Sequence, residues 1–285
     1  MVILCGALYF LEKFKTALPG KPVLKARSEE RQKIPPRTAE YPVVLEDYSS
    51  AAPGALSAKK RLKTGHGSIA IIVDDMGGST HEARMLLDIN LPITFSIIPE
   101  LAHAREVAEA AHRKGEEVMV HVPMEPKGVE KKPFEKNGLL LEMSDEEIVR
   151  RMLGYIEAVP YAAGANNHMG SSFTENREKM RTVLNVLKER KMFFIDSKTT
   201  PASTGDRLAR EMGVRAGARN VFLDNQQDVA AVRAQIGKLA AMAKRNGGAI
   251  GICHPHKTTI QALAVFLPAL TSEGITFVHA SELVR

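Results

Sequence analysis

The stretch Ser68-Ile69-Ala70-Ile71-Ile72-Val73-Asp74-Asp75-Met76-Gly77-Gly78 decides the fold. Ile69 to Val73 is an unbroken apolar run, the pattern of a strand buried on both faces, as in a parallel sheet. It stops at two adjacent carboxylates, Asp74 and Asp75. Two glycines follow, and then Ser79 or Thr80, either of which can cap a helix starting near His81. Both acids therefore fall at the C-terminal edge of a buried strand, the edge at which α/β folds bind ligands. Two carboxylates so close repel, which calls for a cation or a shared proton. Read alone, the pair is equally a turn with solvated acids and a helix cap.

Downstream the pattern repeats. Apolar runs at Ile93–Ile98, Glu117–Val122, Tyr161–Ala165, Met192–Ile195, Val214–Leu223, Ala249–Cys253 and Ile275–Val278 alternate with helical stretches. Ser144-Asp-Glu-Glu147 has the form of a capping box and leads into Ile148, Met152, Ile156 and Val159. A second stripe is Val229, Val232, Ile236, Leu239 and Ala243. Alternating strands and helices mean βαβ units and a parallel sheet. Seven or eight units in one continuous segment predict a distorted (β/α) barrel, with an open doubly wound sheet as the alternative.

The strand ends carry the chemistry. Asp74 and Asp75 end the first strand, and His121 lies at the end of the third. Asn166, Asn167 and His168 follow the fourth. Asp196 and Ser197 end the fifth, and His254 and His256 follow the seventh. His81, His103 and His112 fall in helical stretches, and His279 ends the last strand. Carboxylates and imidazoles without thiolates suit a divalent first-row metal such as Zn²⁺. With a nearby carboxylate as base and an imidazole as acid, these residue types can hydrolyse an amide or ester. One strand-end histidine alone is more often a hydrogen-bonded structural residue.

Composition narrows the class. The 285 residues are 44% hydrophobic with no Trp, so the core is aliphatic. The net charge of +6 is concentrated in the Lys/Arg/Pro-rich part of the chain before Ser68, with no aromatic-interleaved basic stripe, so no nucleic acid partner is expected. No strand is followed by a nucleotide-binding glycine loop. Cys5 and Cys253 stand far apart and suggest neither a disulfide framework nor a thiolate zinc site. Residues 1–11 form an apolar segment, too short to span a bilayer. It reads as the remnant of a membrane anchor, a tether through the N-terminus, or as a short apolar arm. Residues 12–66 read as a disordered Pro/Lys/Arg-rich linker, with Tyr41–Leu45 as a possible docking strand. The catalytic domain is then 67–285.

Five strings carry a resemblance: Ile-Ile-Val-Asp-Asp-Met-Gly-Gly (71–78), His-Val-Pro-Met-Glu-Pro (121–126), Asn-Asn-His-Met-Gly-Ser (166–171), Phe-Ile-Asp-Ser (194–197) and Cys-His-Pro-His (253–256). In this order they resemble the divergent polysaccharide deacetylase family, a branch of the superfamily that contains carbohydrate esterase family four. The resemblance covers about Gly67 to the C-terminus. It implies a metal-dependent hydrolase, usually with zinc, that removes acetyl groups from an envelope polysaccharide or peptidoglycan. It also implies a periplasmic or other extracytoplasmic location.

The family's motifs put the general base on Asp74, metal ligands on Asp75 and His121, and the general acid on His254, with His256 second. The better-known enzymes carry two histidines four residues apart; here the second of these positions is Glu125. The third ligand is then Glu125 or, preferred here, His168. Asp196 and Asn167 are expected to orient a histidine or to bind substrate. The competing reading is a catalytically inactive glycan-binding envelope module on the same fold, and a further one is a phosphoesterase on the same barrel edge.

Overall fold

The computed structural model describes residues 66–128 and 137–285. The reading of residues 1–11 as an anchor remnant, and that of 12–66 as a linker in all but its last residue, lie outside the described residues. Among the described residues no helix is long and apolar enough to cross a membrane.

Among the described residues nine strands form one sheet: β1 (Gly67–Met76), β2 (Thr94–Ile97), β3 (Glu117–Met124), β4 (Ala162–Met169), β5 (Phe193–Asp196), β6 (Ala216–Ala218), β7 (Val221–Phe222), β8 (Gly248–Cys253) and β9 (Ile275–Phe277). Their order is β6-β5-β4-β3-β2-β1-β8-β7, with β9 paired to β1. Every named pairing is parallel. The two ends of this order, β6 and β7, are one stretch of chain broken at Arg219–Asn220. Ala216–Ala218 pairs with β5 and Val221–Phe222 pairs with β8. The sheet thus curls round into a distorted barrel, as predicted.

Helices α1 (Thr80–Leu87), α2 (Ala104–Arg113), α3 (Asp145–Ala158), α4 (Arg177–Glu189), α5 (Gly205–Glu211), α6 (Val229–Asn246) and α7 (Lys257–Ser272) connect the strands. Their ends follow the sequence. Ser79 caps α1 by accepting a hydrogen bond from Glu82 N, and Ser144 does the same for α3 from Glu147 N. Asp228 caps α6 by accepting from Ala230 N and Ala231 N, and Gly247 ends that helix at φ +84°, a conformation open to glycine at no steric cost. The stripe Val232, Ile236, Leu239 and Ala243 is buried.

Residues alternate between the two faces of each strand. Ile69, Ile71, Val73, Val118, Val120, Val122 and Ala249 join the large core between sheet and helices. Ala70, Ile72, Met119, Phe193, Ile195, Ile250 and Ile252 form a second core inside the barrel, with Ala280 and Val284 from the C-terminus. The final residue is laid against the barrel by two backbone bonds, Ala216 N to Arg285 O (2.9 Å) and Arg285 N to Ala216 O (3.2 Å). Space inside is tight. A Cβ on Gly164 would lie 2.5 Å from the Phe193 ring, so β4 carries no side chain at that level.

Candidate metal centre

The interior alternation places the site. Stepping two residues beyond the barrel core leads from Ile72 to Asp74, from Met119 to His121, from Ile195 to Ser197 and from Ile252 to His254. On β4 the same series runs Gly164, Asn166, His168. Asp75 is out of step with Asp74, but its backbone turns left-handed at φ +57°. A non-glycine residue seldom adopts that conformation, and such strain gathers at functional sites. The kink lets both neighbouring carboxylates reach the barrel mouth.

Three of the predicted residues meet there. Asp75 Oδ1 lies 2.8 Å from His168 Nδ1 and 3.2 Å from His121 Nε2, and the two ring nitrogens are 3.2 Å apart. A tetrahedral zinc ion at ~2.0–2.1 Å from three donors sets their mutual separations at about 3.3 Å. The observed triangle is close to one face of such a tetrahedron. Asp75 Oδ1 is buried, and neither ring contact gives it a hydrogen bond of sound geometry. One carboxylate oxygen and two imidazoles, without thiolate, are donors suited to zinc or a similar divalent ion. Burial pushes the Asp75 carboxyl up, but contact with His121 and His168 and their charge outweigh it and hold it well below the usual carboxylate range.

Behind this triangle lies a buried hydrogen-bond chain that the sequence reading did not identify. Ser96 Oγ donates to Asn166 Oδ1 at 2.6 Å, and His121 Nδ1 is 2.7 Å from the same oxygen. An amide oxygen only accepts, so His121 carries a proton on Nδ1 and turns Nε2 toward Asp75. Asn166 Nδ2 donates to Asp74 Oδ1 at 2.7 Å. Asp74 is almost fully buried, and its second oxygen is 3.7 Å from His121 Nε2. One amide therefore fixes both a histidine tautomer and a carboxylate.

His254 stands across the mouth with a partner that sequence reading also missed. Its Nδ1 lies 3.2 Å from Asp224 Oδ1, and its backbone N donates to Asp224 Oδ2 at 2.7 Å. Thr259 Oγ1 donates to the same Oδ2 at 3.0 Å. Burial pulls the His254 imidazole down, but Asp224 more than compensates. With smaller contributions from Asp75 and Asp74, the pKa is raised to about 9. His254 is thus a cation at neutral pH. Arg219 also lines this region. Its Nε and Nη2 donate to the carbonyls of Ser197 and Lys198, both at 2.7 Å, and it lies over the Phe222 ring. Burial lowers its pKa against the opposing charges of Asp74 and Asp196.

Three expectations are corrected, and the less favoured alternative for the third ligand is set aside. Glu125 does not face the triangle as a ligand: its Oε2 accepts from Leu141 N at 2.7 Å and clamps the segment packed beside β3. Asn167 is on the outward parity of β4 and orients no histidine. It staples β4 to β5, accepting from Ser197 N at 2.9 Å and donating to Met169 O at 2.7 Å. Asp196 likewise faces outward. It accepts from Lys198 N, Ser203 Oγ and Asp206 N and pairs with Lys198 Nζ, so it organises the following loop. His168, expected in a turn after the fourth strand, lies within β4, which runs on to Met169. His256 stands beside His254, with ring centroids 5.8 Å apart, and its Nε2 is 3.1 Å from the Gln227 amide.

Comparison with known proteins agrees with this architecture. Residues 71–284 match the family model of the divergent polysaccharide deacetylases. The chain is 40% identical over 219 residues to the uncharacterized protein YibQ of Escherichia coli (strain K12), covering 77% of this chain and 68% of that protein. It is 34% identical over 217 residues to an uncharacterized protein of Haemophilus influenzae, covering 76% of each. Among solved structures, an uncharacterized protein from Agrobacterium tumefaciens C58 superposes with a TM-score of 0.72 at 22% identity, covering 78% of this chain and 91% of that one. That likeness speaks for the fold. With the matched segment running from within β1 to residue 284 and the mouth residues in place, the chain belongs to the divergent polysaccharide deacetylase family.

Proposed function

We propose that this protein is a metal-dependent deacetylase acting on an acetylated envelope glycan or peptidoglycan. The observation that carries the reading is the donor triangle of Asp75, His121 and His168 with Asp74 beside it and the His254–Asp224 pair across the mouth. A divalent ion such as Zn²⁺ held by that triangle would supply Lewis acidity, acidifying water and polarising the acetyl carbonyl.

The remaining chemistry belongs to the chain. Asp74 is the base: it is fixed by Asn166 at one oxygen, which leaves Oδ2 to accept a proton from the attacking water. His254 is the acid, held in place by Asp224 and charged at neutral pH. It gives its proton to the departing amine or alcohol. Asn166 acts through His121 and Asp74 and is a positioning residue. The location proposed with this function is the periplasmic or extracytoplasmic side of the envelope, where acetylated glycans are found.

The test is acetate release from N-acetylated oligosaccharides and peptidoglycan fragments, measured with added Zn²⁺ on the wild type and on Asp75→Asn. Release that needs metal and falls at least 100-fold in the variant supports the reading. A wild type that binds no metal and releases no acetate from any of these substrates ends it.

A further inference from the structure

Asp224, His254 and His256 come from three separate elements: the turn after β7, the end of β8 and the N-terminus of α7. One donor atom of each lies within 4.8 Å of the others. The carboxylate is asymmetric in its commitments. Asp224 Oδ2 accepts from His254 N and Thr259 Oγ1, whereas Oδ1 faces only the His254 ring nitrogen at 3.2 Å among its hydrogen-bond contacts. That separation is near the edge of a metal's coordination tetrahedron. His256 begins α7 without using its side chain to cap the helix, and the Gln227 amide steadies its ring. Both histidines are partly exposed, so a hydrated ion can reach them.

Charge acts both ways here: the proton on His254 must leave before a cation binds. The N-terminus of α7 opposes one with about half a unit of positive charge. Asp224 contributes a full negative charge, and Asp74 and Asp75 are close enough to act on His254 as well.

We propose that Asp224, His254 and His256 form a second divalent-metal site, and that filling it silences the acid. The binding half of this proposal stands on these three residues alone. The inhibitory half rests on the reading of His254 as proton donor. Binding exchanges one proton of the His254 imidazolium for the ion. The ring then has no readily dissociable proton for the leaving group, and substrate hydrolysis stalls. The two imidazoles stand farther apart than in the first triangle, with ring centroids 5.8 Å against 4.9 Å apart, so the first centre fills before the second.

Zinc titration of the chelator-stripped full chain by calorimetry, with bound metal counted after dialysis, reads the site directly. Two ions per chain are expected for the wild type, one for His256→Gln and one for His254→Gln. Asp75→Asn is expected to keep one ion, that of the second site. Saturation of the wild type at a single ion that Asp75→Asn abolishes overturns the proposal. So does a second ion that survives both histidine substitutions. If Asp75→Asn still binds two ions, the Asp75 centre fails while the second site stands.

In the activity arm, acetate release by the wild type should rise with the first equivalent of zinc and fall at least tenfold with the second. His256→Gln, scaled to its own rate at one equivalent, should show no such fall. Two bound ions with no loss of rate overturn the inhibitory half.

Discussion

Asn166 Oδ1 lies 2.7 Å from His121 Nδ1, and the same side chain donates to Asp74 Oδ1 at 2.7 Å. The two functions expected of the mouth, metal ligation and base catalysis, are therefore anchored on one buried amide. Replacing Asn166 with Ala frees the His121 tautomer and leaves buried groups on His121, Asp74 and Ser96 without their partner. Removing an outer-shell partner typically costs 10–100-fold in metal affinity, and an unsatisfied buried group costs about 1–3 kcal/mol. Zinc affinity by competition with a chelator dye should fall by that factor, with a lower melting temperature. Unchanged zinc affinity would show that His121 needs no such support.

The His254–Asp224 pair sets a pH dependence with a definite sign. The folded imidazole titrates near 9, above the ~6.5 of an unperturbed histidine. Its pairing therefore adds stability that is complete below ~6.5 and is lost as pH rises through about 9. Activity that depends on the protonated ring declines on the same alkaline side. Asp224→Asn removes the main support, so the alkaline limb should move toward lower pH. NMR titration of the ring in both proteins checks this. A His254 that titrates at the same pH in wild type and variant removes Asp224 from the account.

Asp196 separates loop architecture from chemistry. Its carboxylate accepts three hydrogen bonds within the segment 198–206, so Asp196→Ala should destabilise the protein by about 1–3 kcal/mol through orphaned donors. Its effect on zinc stoichiometry should be nil. Thermal denaturation beside a metal count distinguishes the outcomes, and loss of zinc at full thermal stability would return Asp196 to the site.

The barrel interior has its own test at Gly164. A methyl group there would meet the Phe193 ring at 2.5 Å. Gly164→Ala should therefore cost about 1–3 kcal/mol by overpacking, read as a shift in the denaturant midpoint. The smaller partner in Gly164→Ala/Phe193→Leu should recover part of the loss.

The strands were legible because each is an apolar run closed by a polar or proline residue. The parallel barrel followed from their alternation with helices. Strand β4 was the exception. Its sequence, Ala-Ala-Gly-Ala-Asn-Asn-His-Met, lacks the large apolar residues that mark a buried strand, because Phe193 fills the space over Gly164 and Asn166 and His168 already face the mouth. Ending it at Ala165 hid the alternation that assigns Asn166 and His168 to the inside and Asn167 to the outside. The same alternation turns Asp196 away, although it ends a strand just as Asp74 does. Asp224 follows Val221-Phe-Leu on a strand of two residues, too short to announce its end. The left-handed turn that brings Asp75 level with Asp74 has no signature in a non-glycine sequence.

The most direct test of the metal centre is a crystal structure of the protein grown with stoichiometric Zn²⁺, with the ion located by anomalous scattering at the zinc edge. Zinc is expected within ~2.0–2.3 Å of Asp75 Oδ1, His121 Nε2 and His168 Nδ1. An ion that instead takes Glu125 in place of His168, or that lies only between His254 and His256 with the Asp75 triangle empty, would contradict that assignment.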